Sequence, residues 1–259
     1  MDSGSISAAG AVFAVMVVFS LLQRWAPYKP PSESNLPPYE ELRRKFLKWE
    51  QIYLIPFFIF SALFAIAWER LLSFFARLSY ASLGASVFMY TPSPDFWWIP
   101  AIFLGILTAT IPLTLLYKLV LGSDYEQYVI YSNLRVGFDS QKVVRLMAMI
   151  VGPVALIFSL LAMNCYTKFS GGEVTINRFL GVGEIIYPYS RISAIKSVSY
   201  FVAPNGDFKY RPYFSIEFDD GKRWTTGDGL HDPDPETDRR LIEFVSGKCG
   251  KQPQEVNLE

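Results

Sequence analysis

Along this chain, apolar residues gather in four runs without a single charged side chain, at 3–23, 51–68, 96–117 and 146–167. Each is close to the ~20 residues that an α-helix needs to cross a ~30 Å hydrocarbon layer. Buried helices of water-soluble proteins carry a polar stripe, whereas these runs hold only scattered Ser, Thr and Asn. The pattern predicts an α-helical transmembrane bundle of about four spans over residues 1–166. Pro56, Pro112 and Pro153 fall inside the second, third and fourth runs, which a bundle tolerates where neighbouring helices satisfy the freed carbonyls. The first run lacks the positively charged lead of a signal peptide and reads as a retained helix.

Residues 71–90 are too apolar for an ordinary loop, yet they carry Arg77, Gly84 and several serines. They read as an interfacial or re-entrant segment. A fifth span is the alternative, opposed by the ~2.5–3.5 kcal/mol that an arginine near a span centre costs on insertion scales. Cations flank the runs unevenly. Arg24, Lys29, Arg43, Arg44, Lys45 and Lys48 follow the first run, against Arg70 and Arg77 after the second. The positive-inside rule then sets the N-terminus outside the cell and, with four spans, the C-terminal domain outside as well. Trp25, Trp49, Trp68, Trp97 and Trp98 sit at run ends, as in an aromatic belt. A proline-rich spacer over 26–42 leads into an amphipathic stretch, 39–49, suited to the headgroup layer.

Beyond Tyr166 the period changes. Val174 and Ile176, then Val198, Tyr200 and Val202, then Phe214, Ile216 and Phe218 alternate with polar residues, the signature of half-buried strands. Asp219-Asp220-Gly221 supplies the positive-φ position of a tight hairpin turn between FSIEF and KRWTT, and Pro204-Asn205-Gly206-Asp207 offers another. Asp234-Pro235-Glu236 gives an N-cap, a first-position proline and an acidic first turn for a helix bearing Leu241, Ile242, Phe244 and Val245. The expected module spans 167–250, followed by a tail, 251–259. It is α+β, a bent antiparallel sheet of six or seven strands closed by one helix.

The strand entry straight from a span (NCYTKFSGGEVTINRF), the segment EIIYPYSRISAI, the hairpin YFSIEFDDGKRWTT and the terminal helix resemble membrane-tethered bacterial domains of the pleckstrin-homology-like (PH-like) superfamily. The resemblance rests on Tyr189, Ile192, Gly221 and Trp224 and covers the last third of the chain. It implies a PH-like fold placed directly after transmembrane helices, in a bacterial plasma membrane, and no particular activity. Lipid-binding members concentrate Lys and Arg around the first hairpin loop. Here that loop, Phe179-Leu180-Gly181-Val182-Gly183, is apolar and flanked only by Arg178.

Composition narrows the chemistry. The chain is 51% hydrophobic and 19% charged, below the quarter usual in soluble domains. Equal numbers of basic and acidic residues, 24 each, with no basic stripe, argue against nucleic acid. Cys165 and Cys249 form neither a ligand pair nor a disulfide framework. His231 stands among Asp228, Asp232, Asp234, Glu236 and Asp238, but helix capping accounts for two of these and the spacing is not that of a calcium loop. Gly181-Val182-Gly183-Glu184 reads as a turn, and Glu69-Arg70 as an ion pair at a span end. No cofactor or metal site is expected, and no nucleophile elbow, Cys-His pair, HExxH or P-loop is present.

The candidate contact surface is basic and aromatic: Arg178, Arg191, Lys196, Lys209, Arg211, Tyr189 and Tyr213, suited to lipid headgroups or a protein partner. The leading expectation is a non-enzymatic integral membrane protein presenting its β module at the membrane surface to lipid or to another membrane or envelope protein, homo-oligomers included. Two alternatives stand: a subunit or accessory of a membrane transport or envelope complex, and a membrane enzyme with an unrecognised interfacial site.

Overall fold

The computed structural model describes residues 16–30, 37–181, 183–202, 208–227 and 234–258, with only the backbone described at 201, 202, 208, 209, 211, 257 and 258. The N-terminal part is helical: α1 (16–25), α2 (Tyr39–Ala81), α3 (Trp98–Leu121), α4 (Tyr125–Val136) and α5 (Ser140–Met163). Three helical stretches are long and apolar enough to cross a membrane, Tyr39–Ala81, Pro94–Val136 and Ser140–Met163. The first predicted run, 3–23, lies mostly outside the described residues. The chain divides into two compact units, one of Met1–Arg70 with Pro100–Leu156, the other of Leu71–Ile99 with Ile157–Glu259.

In the first unit, α2 and α3 meet on small residues. A Cβ on Gly105 would lie 2.6 Å from the Ala65 backbone nitrogen, so only glycine allows this approach. Trp68 Nε1 donates to Thr108 Oγ1 at 3.3 Å one turn away. Outside this seam, Ile55, Phe58, Leu63, Ile111 and Leu115 are more than half exposed. Pro56, Pro112 and Pro153 lie within α2, α3 and α5, as the sequence placed them. The amphipathic stretch 39–49 is the start of α2 itself, and its Leu42 and Phe46 are buried against protein, packed with Leu113, Tyr117, Tyr128 and Tyr131.

At 43 residues α2 is about 65 Å long, twice a hydrocarbon layer. It absorbs residues 71–81, the first part of the segment read as interfacial or re-entrant, into one continuous helix. The remainder turns at Gly84, whose φ is +78°, and forms strand β1 (Phe88–Tyr90).

The second unit holds two four-stranded sheets. One has the order β1-β2-β3-β4, from β1, β2 (Tyr166–Phe169), β3 (Glu173–Asn177) and β4 (Ile185–Pro188), all antiparallel. The other has the order β7-β6-β5-β8, from β5 (Ile192–Val202), β6 (Phe208–Phe218), β7 (Arg223–Thr225) and β8 (Gln254–Leu258). The predicted hairpin forms as expected: Gly221 takes φ +79° and Phe218 N donates to Lys222 O at 2.9 Å. Strand β8, in the stretch expected to be a tail, pairs parallel with β5. Helix α6 (Pro235–Cys249) starts at an Asp234 cap and ends at Gly250 in the left-handed region. Leu241, Ile242 and Val245 enter a core with Phe169, Val174, Ile195, Ile216 and Trp224.

Candidate functional site

The seven residues singled out for a contact surface have different surroundings. Arg191 follows β4 in a single 3₁₀ turn and grips both Asp219 carboxylate oxygens from Nε, at 2.9 and 3.0 Å. Its guanidinium also lies 5.3 Å from the centre of the Tyr187 ring, a geometry that favours cation–π attraction. The hydrogen bond from Arg191 holds the Asp219 carboxyl below its ordinary range, and the same bond raises the guanidinium. Lys196 on β5 donates to Glu217 on β6 at 2.6 Å. Both cations are thus matched by carboxylates of their own sheet.

Tyr189 belongs to the core. It is buried, its hydroxyl donates to Ser170 O at 2.7 Å, and its ring meets Phe244 edge-on. Burial pushes its phenol up to about 12, which favours the protonated hydroxyl that donates to Ser170. Tyr213 is half-buried, with Gly227 so close that a Cβ there would lie 2.8 Å from the ring. Arg178 is exposed at the end of β3. Lys209 faces Phe201 in the β5–β6 register; its side chain and that of Arg211 lie outside the described residues. His231 and the Pro204–Asp207 turn also lie outside them. Asp234 does cap α6, accepting from Glu236 N and from the Thr237 hydroxyl. Among the described residues, no group of three His, Cys, Asp or Glu is placed to hold a metal ion.

Two polar constellations escaped the sequence reading. In the second unit, the Tyr90 hydroxyl donates to Asp238 Oδ1 at 2.7 Å, with both residues buried. Tyr90 also packs edge-on against Trp224 and Phe169. A strand lying between two apolar helices in sequence is thereby fastened to the first turn of α6. Nearby, Tyr187 stacks on Phe218 and donates to Asp220 at 2.8 Å. Burial, then that bond, raises the Tyr187 phenol.

In the first unit, aromatic rings gather where α2, α3 and α4 meet. Tyr117 stacks on Tyr128 and lies edge-on to Trp49 and Tyr53. Tyr131 donates to Glu50 Oε2 at 3.1 Å, and Arg135 pairs with the same oxygen. Lys45 reaches Asp124 at 2.8 Å and Gln127 at 3.1 Å. The signal was present as rings at 46, 49, 53 and 57 on α2 and at 125, 128 and 131 on α4, spacings that put each set on one helix face. In this cluster Glu50 has a phenolic and a cationic partner and Asp124 a cationic one, an arrangement that locks the helices together.

Comparison with protein families, with curated proteins and with solved structures finds no match to this chain.

Proposed function

We propose that this chain is a non-enzymatic integral membrane protein that holds a PH-like β module at the membrane surface, where it meets lipid headgroups or another membrane or envelope protein. The observation that carries this reading is how the module is attached. Only Asn164 and Cys165 separate α5 from β2, and β1 lies in the connection between α2 and α3. A sheet tied this closely to three apolar helix ends has no tether with which to leave the surface. Two packed four-stranded sheets and a C-terminal helix support the PH-like assignment.

The topology we propose has four spans, α1 being the first, in a bacterial plasma membrane. The ten cations at 24–48 and 118–145 face the cytoplasm, and the N-terminus and the β module lie outside. A full-length protein with Cys165→Ala and Cys249→Ser, carrying either Lys29→Cys or Lys222→Cys, tests this in intact cells. An impermeant maleimide should label position 222 and spare position 29; the reverse pattern overturns the orientation. Photo-crosslinkers at Tyr213 and Lys222 in the same cells should yield discrete lipid or protein adducts. Their absence at both sites would remove the docking role.

A further inference from the structure

The turn between β3 and β4 carries a property that basic contact surfaces lack. Gly181 N donates to Arg178 O at 2.9 Å, closing a tight turn with Phe179 and Leu180 at its tip. Phe179 folds inward: its ring lies 5.1 Å from that of Phe158 on α5 and 6.0 Å from Phe96. Phe96 and Phe158 are themselves stacked at 5.1 Å. Leu180, beside it at the tip, is 80% exposed. In water, an unpartnered leucine at a turn tip is an unfavourable choice where Asn, Asp, Ser or Gly is usual.

The position of Phe158 indicates which solvent Leu180 meets. Cations on α5 end at Arg145, and no charge follows until Lys168. A ~30 Å layer entered at Leu146 takes about 20 residues and ends near residue 165. Phe158 then lies inside the edge, in the outer part of the layer where Phe96, stacked on it, opens the third apolar run beside Asp95. A turn whose Phe179 ring meets Phe158 edge-on cannot stand clear of the bilayer.

The geometry points to a membrane wedge: the Arg178–Gly181 turn inserts Leu180 among the upper acyl chains, and Arg178 reaches back to lipid phosphate. Depths of ~5–10 Å are usual for apolar groups of interfacial segments, and an arginine can lay its stem along apolar surface while its head stays in the polar layer. The occupant of this surface is bilayer lipid. The inference rests on reading α5 as a span, and not on any docking role for the module.

The test uses full-length protein with Cys165→Ala and Cys249→Ser, and an environment-sensitive fluorophore on Leu180→Cys, on Leu160→Cys of α5, or on Lys222→Cys. Vesicles of three parts phosphatidylcholine to one part phosphatidylglycerol are made with and without phosphatidylcholine brominated near the top of its chains. The wedge predicts a blue-shifted emission at 180 and bromolipid quenching several-fold stronger than at 222, with weak quenching by aqueous iodide. If 160 is quenched by bromolipid and 180 behaves like 222, the wedge is wrong and the span reading survives. If 160 also behaves like 222, the bilayer reading itself fails.

Discussion

In the first unit the seam between helices is made of Gly105, Ala65, Ala101 and Ala109, while Phe58, Ile55, Leu63 and Ile111 stand in the open. In the strands and α6 of the second unit the order is reversed. Phe169, Ile195, Ile216 and Leu241 are fully buried, and Glu236, Arg239, Arg240 and Glu243 line the exposed face of the helix. Both arrangements follow from what touches the surface. Where the surroundings are as apolar as leucine, burial of leucine gains little and close backbone approach decides packing. Where they are water, removal of large apolar side chains supplies the driving force.

The comparison is broken most severely in the β core. Leu241→Ala empties a fully buried site and should cost about 2–5 kcal/mol, seen as a lower thermal midpoint for the β-rich unit. A loss below about 1 kcal/mol would mean that this core is not close-packed. A second substitution attacks the opposite face of the argument. Phe58→Asp changes a residue 64% exposed, which in a water-facing protein would be nearly neutral. On an exposed face within α2's apolar run it should cost about 2.5–3.5 kcal/mol of insertion, read as lost membrane-integrated yield. An unchanged yield would show that this face meets water.

Smaller effects sharpen the contrast. Gly105→Ala forces a methyl group against the Ala65 backbone and should cost about 1–3 kcal/mol as overpacking, although the change is neutral or favourable for a helix in isolation. Tyr90→Phe keeps the ring between Trp224 and Phe169 and removes one donor to the buried Asp238. A cost of about 1–3 kcal/mol is expected, measurable by urea unfolding in mild detergent. If Tyr90→Phe is silent, β1 is held by its backbone pairing and ring packing, with no help from the hydroxyl.

Much of this architecture was legible in the residues, and the gaps share a cause. Asp219-Asp220-Gly221 gave the hairpin and Asp234-Pro235 gave the start of α6 because turn and cap chemistry act within four residues. Strand β1 escaped because Phe88–Tyr90 is three residues long and pairs with Lys168 and its neighbours nearly eighty positions away. Strand β8 reads as tail in the sequence because its parallel pairing to β5 has no local turn to announce it. Residues 71–90 read as an interfacial or re-entrant segment because Arg77 weighs against a span, yet α2 continues through 71–81 as one helix. In the candidate surface, charge counting gave Arg191 and Lys196 correctly as cations but could not show the carboxylates facing them. Pairing across a sheet depends on register, which is fixed by the whole fold.

That pairing leads to the smallest expected effect, which separates the two units by pH. Asp219 is held low chiefly by its bond from Arg191, Asp220 by the Lys222 backbone amide and Asp234 by the Thr237 hydroxyl. All three lie in the β-rich unit. A carboxylate whose folded pKa is depressed stabilises the fold above its unfolded value of about 3.9 and loses that contribution as pH falls through the folded value. Titration from pH 5 downward should therefore weaken protection from hydrogen exchange first in the β5–β6–β7 sheet and at the start of α6, with α3 unaffected over the same range. Arg191→Ala should shrink the acid effect at Asp219 while changing neutral stability little, because the pair is solvent-exposed and salt-screened. Equal acid sensitivity in α3 and in the β7-β6-β5-β8 sheet would place the cause in the surroundings shared by both units, and the three carboxylates would lose their role.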